Sequence, residues 1–413
     1  MSAPTIAPND ALAKRRVLNS PAEAVAVARA LAPRLTALAP DSDYEGGFPT
    51  DAFALLAEAG LLTVALRPAH GGLGLGLVPG TSAALHHVLA AIGHGALAVG
   101  RVYEGHVNAL HLVQTYGTPA QIEGAATGVR ERALLFGVWN TEAAGGVQVA
   151  PADGGFRLSG AKTFTSGAGH VARALVTGAL SKVDGAAGGW QMCLVPMDEG
   201  HPFIDPSFWR PLGMRASASY RVDFEGVVLG EDDVIGAPGD YYRQPLFSGG
   251  AMRFAAVQLG AAQSLCDHLR AFLRDLGRTD DPYQRLRVGE VAVLVEGGAL
   301  WLEGGARVAD AWLASPGEDE TARFVAYANL MRSAIEKICL DTMRLVERSV
   351  GARGLLRPLP FERIHRDLTL YLRQPAVDAA LAGGGAYALD QTASAATLWT
   401  PAPTDGSDRE PHA

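Results

Sequence analysis

The sequence predicts an α+β protein in three parts: a helical N-terminal region, a small β domain in the middle and a helical bundle at the C-terminus. Two observations carry this. Apolar residues recur at helical spacing through most of the first 130 residues and again from Phe247 onward, whereas between about 133 and 237 the period shortens to β-type runs set off by Gly, Asp and Pro clusters. The length of 413 residues exceeds one hydrophobic core and calls for two or three domains.

Taken in order, Ser20 is placed to cap a helix whose first turn holds Pro21. Phe53, Leu56, Ala57 and Leu61 continue the helical period until Arg67-Pro68-Ala-His-Gly-Gly-Leu-Gly breaks it. Helices follow over 78–93 and 99–115, the second stopping at Tyr116-Gly117-Thr118-Pro119. The β-type runs are Leu134–Trp139, Gly155–Leu158, Ala172–Gly178, Trp190–Val195 and Tyr220–Leu229, enough for a small sheet or barrel. Helical patterns over 249–274, 283–313, 320–350 and 361–386 then suit an antiparallel four-helix bundle. The boundaries so read are a flexible arm over 1–19, an N-terminal helical domain over 20–131, a β domain over 132–240, a bundle over 241–392 and a disordered tail over 393–413.

Hydrophobic residues make up 48% and charged residues 19%, a globular balance. The formal charge of -8 argues against an electrostatic footprint for nucleic acid, so an anionic small ligand has to be met by local charges. Cys193, Cys266 and Cys339 are far apart and form no CxxC pair, which suggests neither a metal site nor a disulfide framework and fits a reduced cytoplasmic setting. No apolar stretch has the length of a membrane span, and the N-terminus lacks the apolar run of a signal peptide.

Ordered motifs carry a resemblance. Leu56-Ala-Glu-Ala-Gly-Leu-Leu62 with Pro68-Ala-His-Gly-Gly-Leu-Gly74, Val138-Trp-Asn-Thr-Glu-Ala-Ala-Gly-Gly146, Gly154-Gly-Phe-Arg-Leu-Ser-Gly-Ala-Lys-Thr-Phe-Thr-Ser166, Trp209-Arg-Pro-Leu-Gly-Met-Arg-Ala-Ser217, Arg348-Ser-Val-Gly-Ala-Arg-Gly354 and Glu362-Arg-Ile-His-Arg-Asp367 occur in the order seen in the acyl-CoA dehydrogenase superfamily, which the chain resembles from about residue 48 to 374. The resemblance implies a flavin, FAD with FMN as the alternative, and a homodimer or homotetramer. It puts Trp139, Asn140 and Thr141 along the flavin edge, Phe164 against its ring and Ser166 near N5, with Arg348, Gly351 and Gly354 at a neighbouring subunit's adenosine. Arg215, Ser217 and Arg253 stand at substrate positions.

The dehydrogenase reaction needs a carboxylate to take the acidic Cα proton of an acyl thioester while hydride leaves to the flavin. Here the match breaks. The stretch after the Arg366-Asp367 pair reads Tyr371-Leu-Arg-Gln-Pro375, and the alternative position before Arg253 holds Met252. Asp378 is the nearest acid. Thr165-Ser-Gly-Ala-Gly-His170 instead resembles the two-component flavin monooxygenases of the same fold, with His170 at their loop histidine. The motifs that meet the CoA ligand and the FAD pyrophosphate are also replaced, by Gly145-Gly146-Val147 and by Arg274-Asp-Leu-Gly-Arg278.

The first expectation is α,β-dehydrogenation of an acyl thioester, on CoA or an acyl carrier protein, with a separate electron acceptor protein. The second is a monooxygenase or oxidase supplied with reduced flavin by a partner flavin reductase. The third is a flavin- or acyl-binding protein without turnover.

Overall fold

The computed structural model describes residues 15–181, 188–199 and 202–400; most of the expected arm, and the tail beyond 400, lie outside the described residues. Ser20 caps helix α1 (Pro21–Leu38), its hydroxyl accepting from the Glu23 amide at 3.1 Å. Helix α2 (Thr50–Glu58) ends at Gly60, whose φ of 78° is left-handed and whose Cβ, were there one, would meet the Arg16 carbonyl at 2.3 Å. Helices α3 (Ser82–Gly95), α4 (Leu97–Tyr116) and α5 (Pro119–Arg132) complete the N-terminal layer, α5 opening on a capping box between Thr118 and Gln121. Helix α4 is buried on nearly every face, so the polar groups it carries must find partners inside the protein.

Ten strands follow. They are β1 (Phe136–Trp139), β2 (Gln148–Ala152), β3 (Gly155–Ser159), β4 (Ala161–Thr165), β5 (Arg173–Leu180), β6 (Gly189–Pro196), β7 (Phe203–Asp205), β8 (Tyr220–Asp223), β9 (Val228–Gly230) and β10 (Val234–Ile235). One sheet runs β10-β6-β5-β2-β3-β9 with β1 parallel to β5, and a second runs β4-β8-β7. The strand expected over 220–229 is two strands, because a turn with Gly226 at φ 78° sends β8 and β9 to different sheets.

Three long helices, α6 (Leu246–Asp275), α7 (Pro282–Ala314) and α8 (Glu318–Gly354), pack with one another, and α6 and α7 also pack on α3. The helix expected over 361–386 is two, α9 (Phe361–Tyr371) and α10 (Val377–Asp390). Pro375 is the cause: it lacks an amide hydrogen and excludes its predecessor from helical geometry. Ala376 then takes a left-handed φ of 56° to start α10. Residues 391–400, expected as part of the tail, make turns that bring Trp399 onto Tyr387 and Tyr327, at ring distances of 5.4 and 5.9 Å. No described helix is long and apolar enough to cross a membrane.

A clasp joins the β domain to α9. Asp367 accepts from the Met214 amide at 2.5 Å, and Gly213 approaches so closely that a Cβ there would lie 2.1 Å from the Arg366 carbonyl oxygen. Arg366 in turn reaches Asp43 at 2.5 Å and Glu362 at 2.7 Å. The Glu-Arg…Arg-Asp motif is thus structural, as its place at a helix start suggests.

Candidate functional site

The end of β1 is fixed from beneath by a buried ammonium. Lys162 on β4 is 0% exposed; it donates to the Asn140 carbonyl at 3.1 Å, to Thr177 at 3.3 Å and to Glu142, and lies 4.8 Å from the Trp190 ring centre. Burial lowers its pKa, opposed by the Glu142 carboxylate. Asn140 Oδ1 accepts from Thr177 at 2.7 Å and Trp190 Nε1 at 3.1 Å, so this carboxamide is engaged within the sheet. Thr141 contributes its carbonyl to the Thr163 amide at 3.0 Å and is otherwise exposed.

Above this floor, Trp139 donates its indole N–H to the Ser166 carbonyl at 3.0 Å. Phe164 has a left-handed φ of 53° and is 49% exposed, with Phe208 and Trp209 edge-on at 5.5 and 5.8 Å. A non-glycine residue holds such a conformation only where its surroundings impose it. The hydroxyls of Ser166, Ser219 and Ser217 form a buried chain with links of 2.8 and 2.7 Å. Ser219, its centre, escaped the sequence reading because a lone serine after a turn carries no signal. Arg215 lies apart, beside Asp43, Arg363 and Asp367, with a buried Nε that makes no hydrogen bond among the described residues.

Next to β1, between α4, α6 and α8, lies a cavity of about 250 Å³. Val138, Leu112, Phe247 and Phe254 supply apolar wall; Glu104, Asn108, Arg253, Arg332 and Gln374 supply polar groups. Tyr242 ties it to the strand, its hydroxyl 3.4 Å from Asn140 Nδ2 and its ring 5.0 Å from Phe247. Along α4, Arg101 donates to Glu104 at 2.5 Å, Asn108 Nδ2 donates to the other Glu104 oxygen, and Arg253 Nε donates to Asn108 Oδ1. The amide orientation is forced, since a carboxylate only accepts and a guanidinium only donates. Glu104, 2% exposed, was missed by the sequence reading. The available signal was Arg101, Glu104 and Asn108 at helical spacing in an otherwise apolar helix.

The remaining sequence candidates are dispersed. Asp378 is exposed in an open groove with Lys337, Asp341 and Arg373, which shares no lining residue with the cavity. His170 stacks flat on Phe48, centroids 3.7 Å apart, and burial pulls it down to about 4, so it is neutral near pH 7. Arg348, Gly351 and Gly354 lie at the end of α8, where Gly351 turns the chain at φ 60° and the Arg348 carbonyl accepts from Arg287 at 3.3 Å.

The acyl-CoA dehydrogenase N-terminal domain family matches residues 23–127 and the acyl-CoA dehydrogenase C-terminal domain family matches residues 252–373, one on either side of the β domain. The chain belongs to the acyl-CoA dehydrogenase superfamily. Dibenzothiophene monooxygenase of Rhodococcus erythropolis is 26% identical over 396 residues, covering 89% of this chain and 93% of the relative. A probable FMNH2-dependent monooxygenase, SfnC of Pseudomonas putida, is 25% identical over 405 residues, covering 92% and 98%. FMN-bound TdsC from Paenibacillus sp. A11-2 superposes with a TM-score of 0.79 at 21% identity, over 91% of this chain and 100% of that one, a likeness of fold.

The stretch where a dehydrogenase base is expected, Tyr371–Pro375, meets the cavity through Gln374 and Pro375, and the alternative position is Met252, buried beside Arg253. Neither holds a carboxylate.

Proposed function

We propose that this chain is the oxygenating component of a two-component flavin-dependent monooxygenase, using reduced FMN from a separate flavin reductase. The observation that carries the reading is the missing base: Gln374 and Pro375, from the stretch where thioester chemistry would place it, line the cavity without a carboxylate, and the other expected position holds Met252. Dibenzothiophene monooxygenase and SfnC match over 89% and 92% of this chain, against 83% for a putative acyl-CoA dehydrogenase of Bacillus subtilis, which supports the second sequence expectation over the first.

The residues present fit a flavin. A half-bare Phe164, set by a strained backbone, offers a flat apolar face to a ring system, and leaving such a face in water costs on the order of 1 kcal/mol. FMN is preferred to FAD because Arg274-Asp-Leu-Gly-Arg278 and Arg348 replace the motifs that serve the pyrophosphate and adenosine. When bound, the reduced flavin supplies two electrons to dioxygen, one oxygen atom entering the substrate and the other leaving as water. Trp139 and the serine chain hold the Phe164–Ser166 turn in place, and the Ser166 hydroxyl would donate toward the ring of a bound flavin while accepting from Ser219.

A homo-oligomer belongs to the same reading. Tyr283, Leu286, Val293 and Leu300 form an exposed apolar stripe along α7, three of them seven residues apart, as a second copy would cover. A reducing cytoplasm accords with three free, buried cysteines.

The test is direct. Purified protein with FMN, a flavin reductase, NADH and oxygen should oxygenate a small substrate, and an acyl-CoA panel should leave anaerobic flavin unbleached. Bleaching by a thioester would restore dehydrogenation, for which Glu104 is the cavity carboxylate, although both its oxygens already accept hydrogen bonds. Flavin binding without either activity would favour the non-catalytic reading. Phe164→Ala and Ser166→Ala are expected to weaken FMN retention about 10-fold or shift its reduction potential while the far-ultraviolet dichroism stays unchanged. Wild-type flavin spectra and affinity in both variants would remove these residues from the flavin site.

A further inference from the structure

We propose that the cavity beside β1 takes a small organic anion, an apolar body with a carboxylate- or sulfinate-type head, and that Arg253 receives the head with Arg332 as its flank. This deepens the monooxygenase reading by naming the substrate class, and its test is a binding measurement that stands whether or not oxygenation is found.

The case is one of charge. Among the described residues the cavity wall holds two arginines, Arg253 and Arg332, and one carboxylate, Glu104, which is engaged by Arg101 and Asn108. Neither Arg253 nor Arg332 is ion-paired among the described residues: Arg253 reaches a neutral amide, and Arg332 reaches the Pro375 carbonyl at 2.9 Å with its guanidinium 5.2 Å from the Phe254 ring centre. A desolvated guanidinium with only neutral partners, such as Arg253, is stabilised when a negative charge joins it.

The geometry leaves the right atoms available. Nε of Arg253 is held by Asn108, whose amide is oriented by Glu104, so the guanidinium plane is fixed before any ligand arrives. Its two terminal nitrogens make no hydrogen bond among the described residues. One turn earlier the helix carries Gly249 and Gly250, where a Cβ would lie 3.5 and 3.7 Å from those nitrogens. With glycine at both positions no side chain stands between the helix and the fork. A planar carboxylate or a sulfinate matches such a fork with two parallel hydrogen bonds. Burial pulls the Arg253 guanidinium down to about 10, opposed in part by the Glu104 carboxylate. Leu112, Val138 and Phe247 supply the apolar remainder, and about 250 Å³ limits the body to a short chain or a single ring.

The experiment is calorimetric titration of the full-length protein, with and without saturating FMN, using benzoate against benzamide, methanesulfinate against dimethyl sulfoxide, and inorganic phosphate. At least one organic anion is expected to bind about 10-fold or more tightly than its neutral counterpart. Arg253→Gln should erase that preference, Arg253→Lys should keep part of it, and FMN affinity should stay within about twofold in both. Arg332→Gln, nearer the rim, should lower anion affinity about threefold and serves if Arg253→Gln does not fold. The proposal is overturned if no anion outperforms its neutral counterpart. It is equally overturned if Arg253→Gln lowers affinity for FMN and phosphate but not for organic anions, which would make Arg253 a contact of the flavin phosphate.

Discussion

Replacing Lys162 by methionine is expected to destabilise the protein by about 1–3 kcal/mol, because it removes a buried donor from the Asn140 carbonyl and the Thr177 hydroxyl and takes the counter-charge from the solvent-exposed Glu142. The Lys162 ammonium is fully enclosed and reaches Glu142, the Asn140 carbonyl and Thr177. It therefore ties together three pieces of chain distant in sequence: the end of β1, β4 and β5. Methionine retains the volume and the apolar stem but none of the donors. Glu142, which also accepts from the Val147 amide at 2.8 Å, loses its counter-charge, and the 140–147 loop loses its anchor. Urea unfolding of Lys162→Met should show the shift, and the double variant Lys162→Met, Glu142→Gln should recover part of it, since the unmet negative charge is then gone. A single variant as stable as wild type would show that this pair does not hold the sheet.

The second large effect is a loss of stability in mild acid. His86, His106 and His111 are buried, and desolvation lowers them to about 4, about 4 and about 3, each opposed in part by a backbone hydrogen bond. His106 shows why protonation is excluded. Its Nδ1 accepts from the Phe136 amide at 3.1 Å and its Nε2 donates to the Leu62 carbonyl at 2.9 Å, so one tautomer links the N-terminal layer to β1 and a second ring proton would break that link. The unfolded chain binds these protons below its ordinary pKa of about 6.5, whereas the folded chain binds them only near 4 or below. Stability is therefore fully present above about pH 6.5 and falls as pH drops toward 4. At about pH 5 each imidazole removes about 2 kcal/mol, and three together approach the whole stability of a typical domain. Urea midpoints at about pH 7.5 and about pH 5 should differ accordingly; equal midpoints would mean that these rings titrate normally in the fold.

Both effects lie in interactions that no local pattern announces. The α, then β, then α order is legible because hydrophobic periodicity is a property of adjacent residues, as is the cap at Ser20, whereas the helix expected to run on to Arg67 stops before Gly60. The motifs around Trp139, Phe164 and Arg215 could be placed in order for the same reason. Where the reading of elements failed, a local breaker had been underweighted: Gly226 splits one expected strand and Pro375 one expected helix.

The site divides along the same line. Sequence alone determined the fold class, the superfamily and the absence of a carboxylate at either expected base position, since those are statements about residue type and order. Only the tertiary structure decided what stands there instead. Asn108 and Arg253 are separated by 145 positions and meet because α4 and α6 pack on opposite sides of one cavity. Their pairing, the enclosure of Glu104 and the open fork of Arg253 exist through desolvation and long-range contact, and neither can be read from the spacing of residues along a chain.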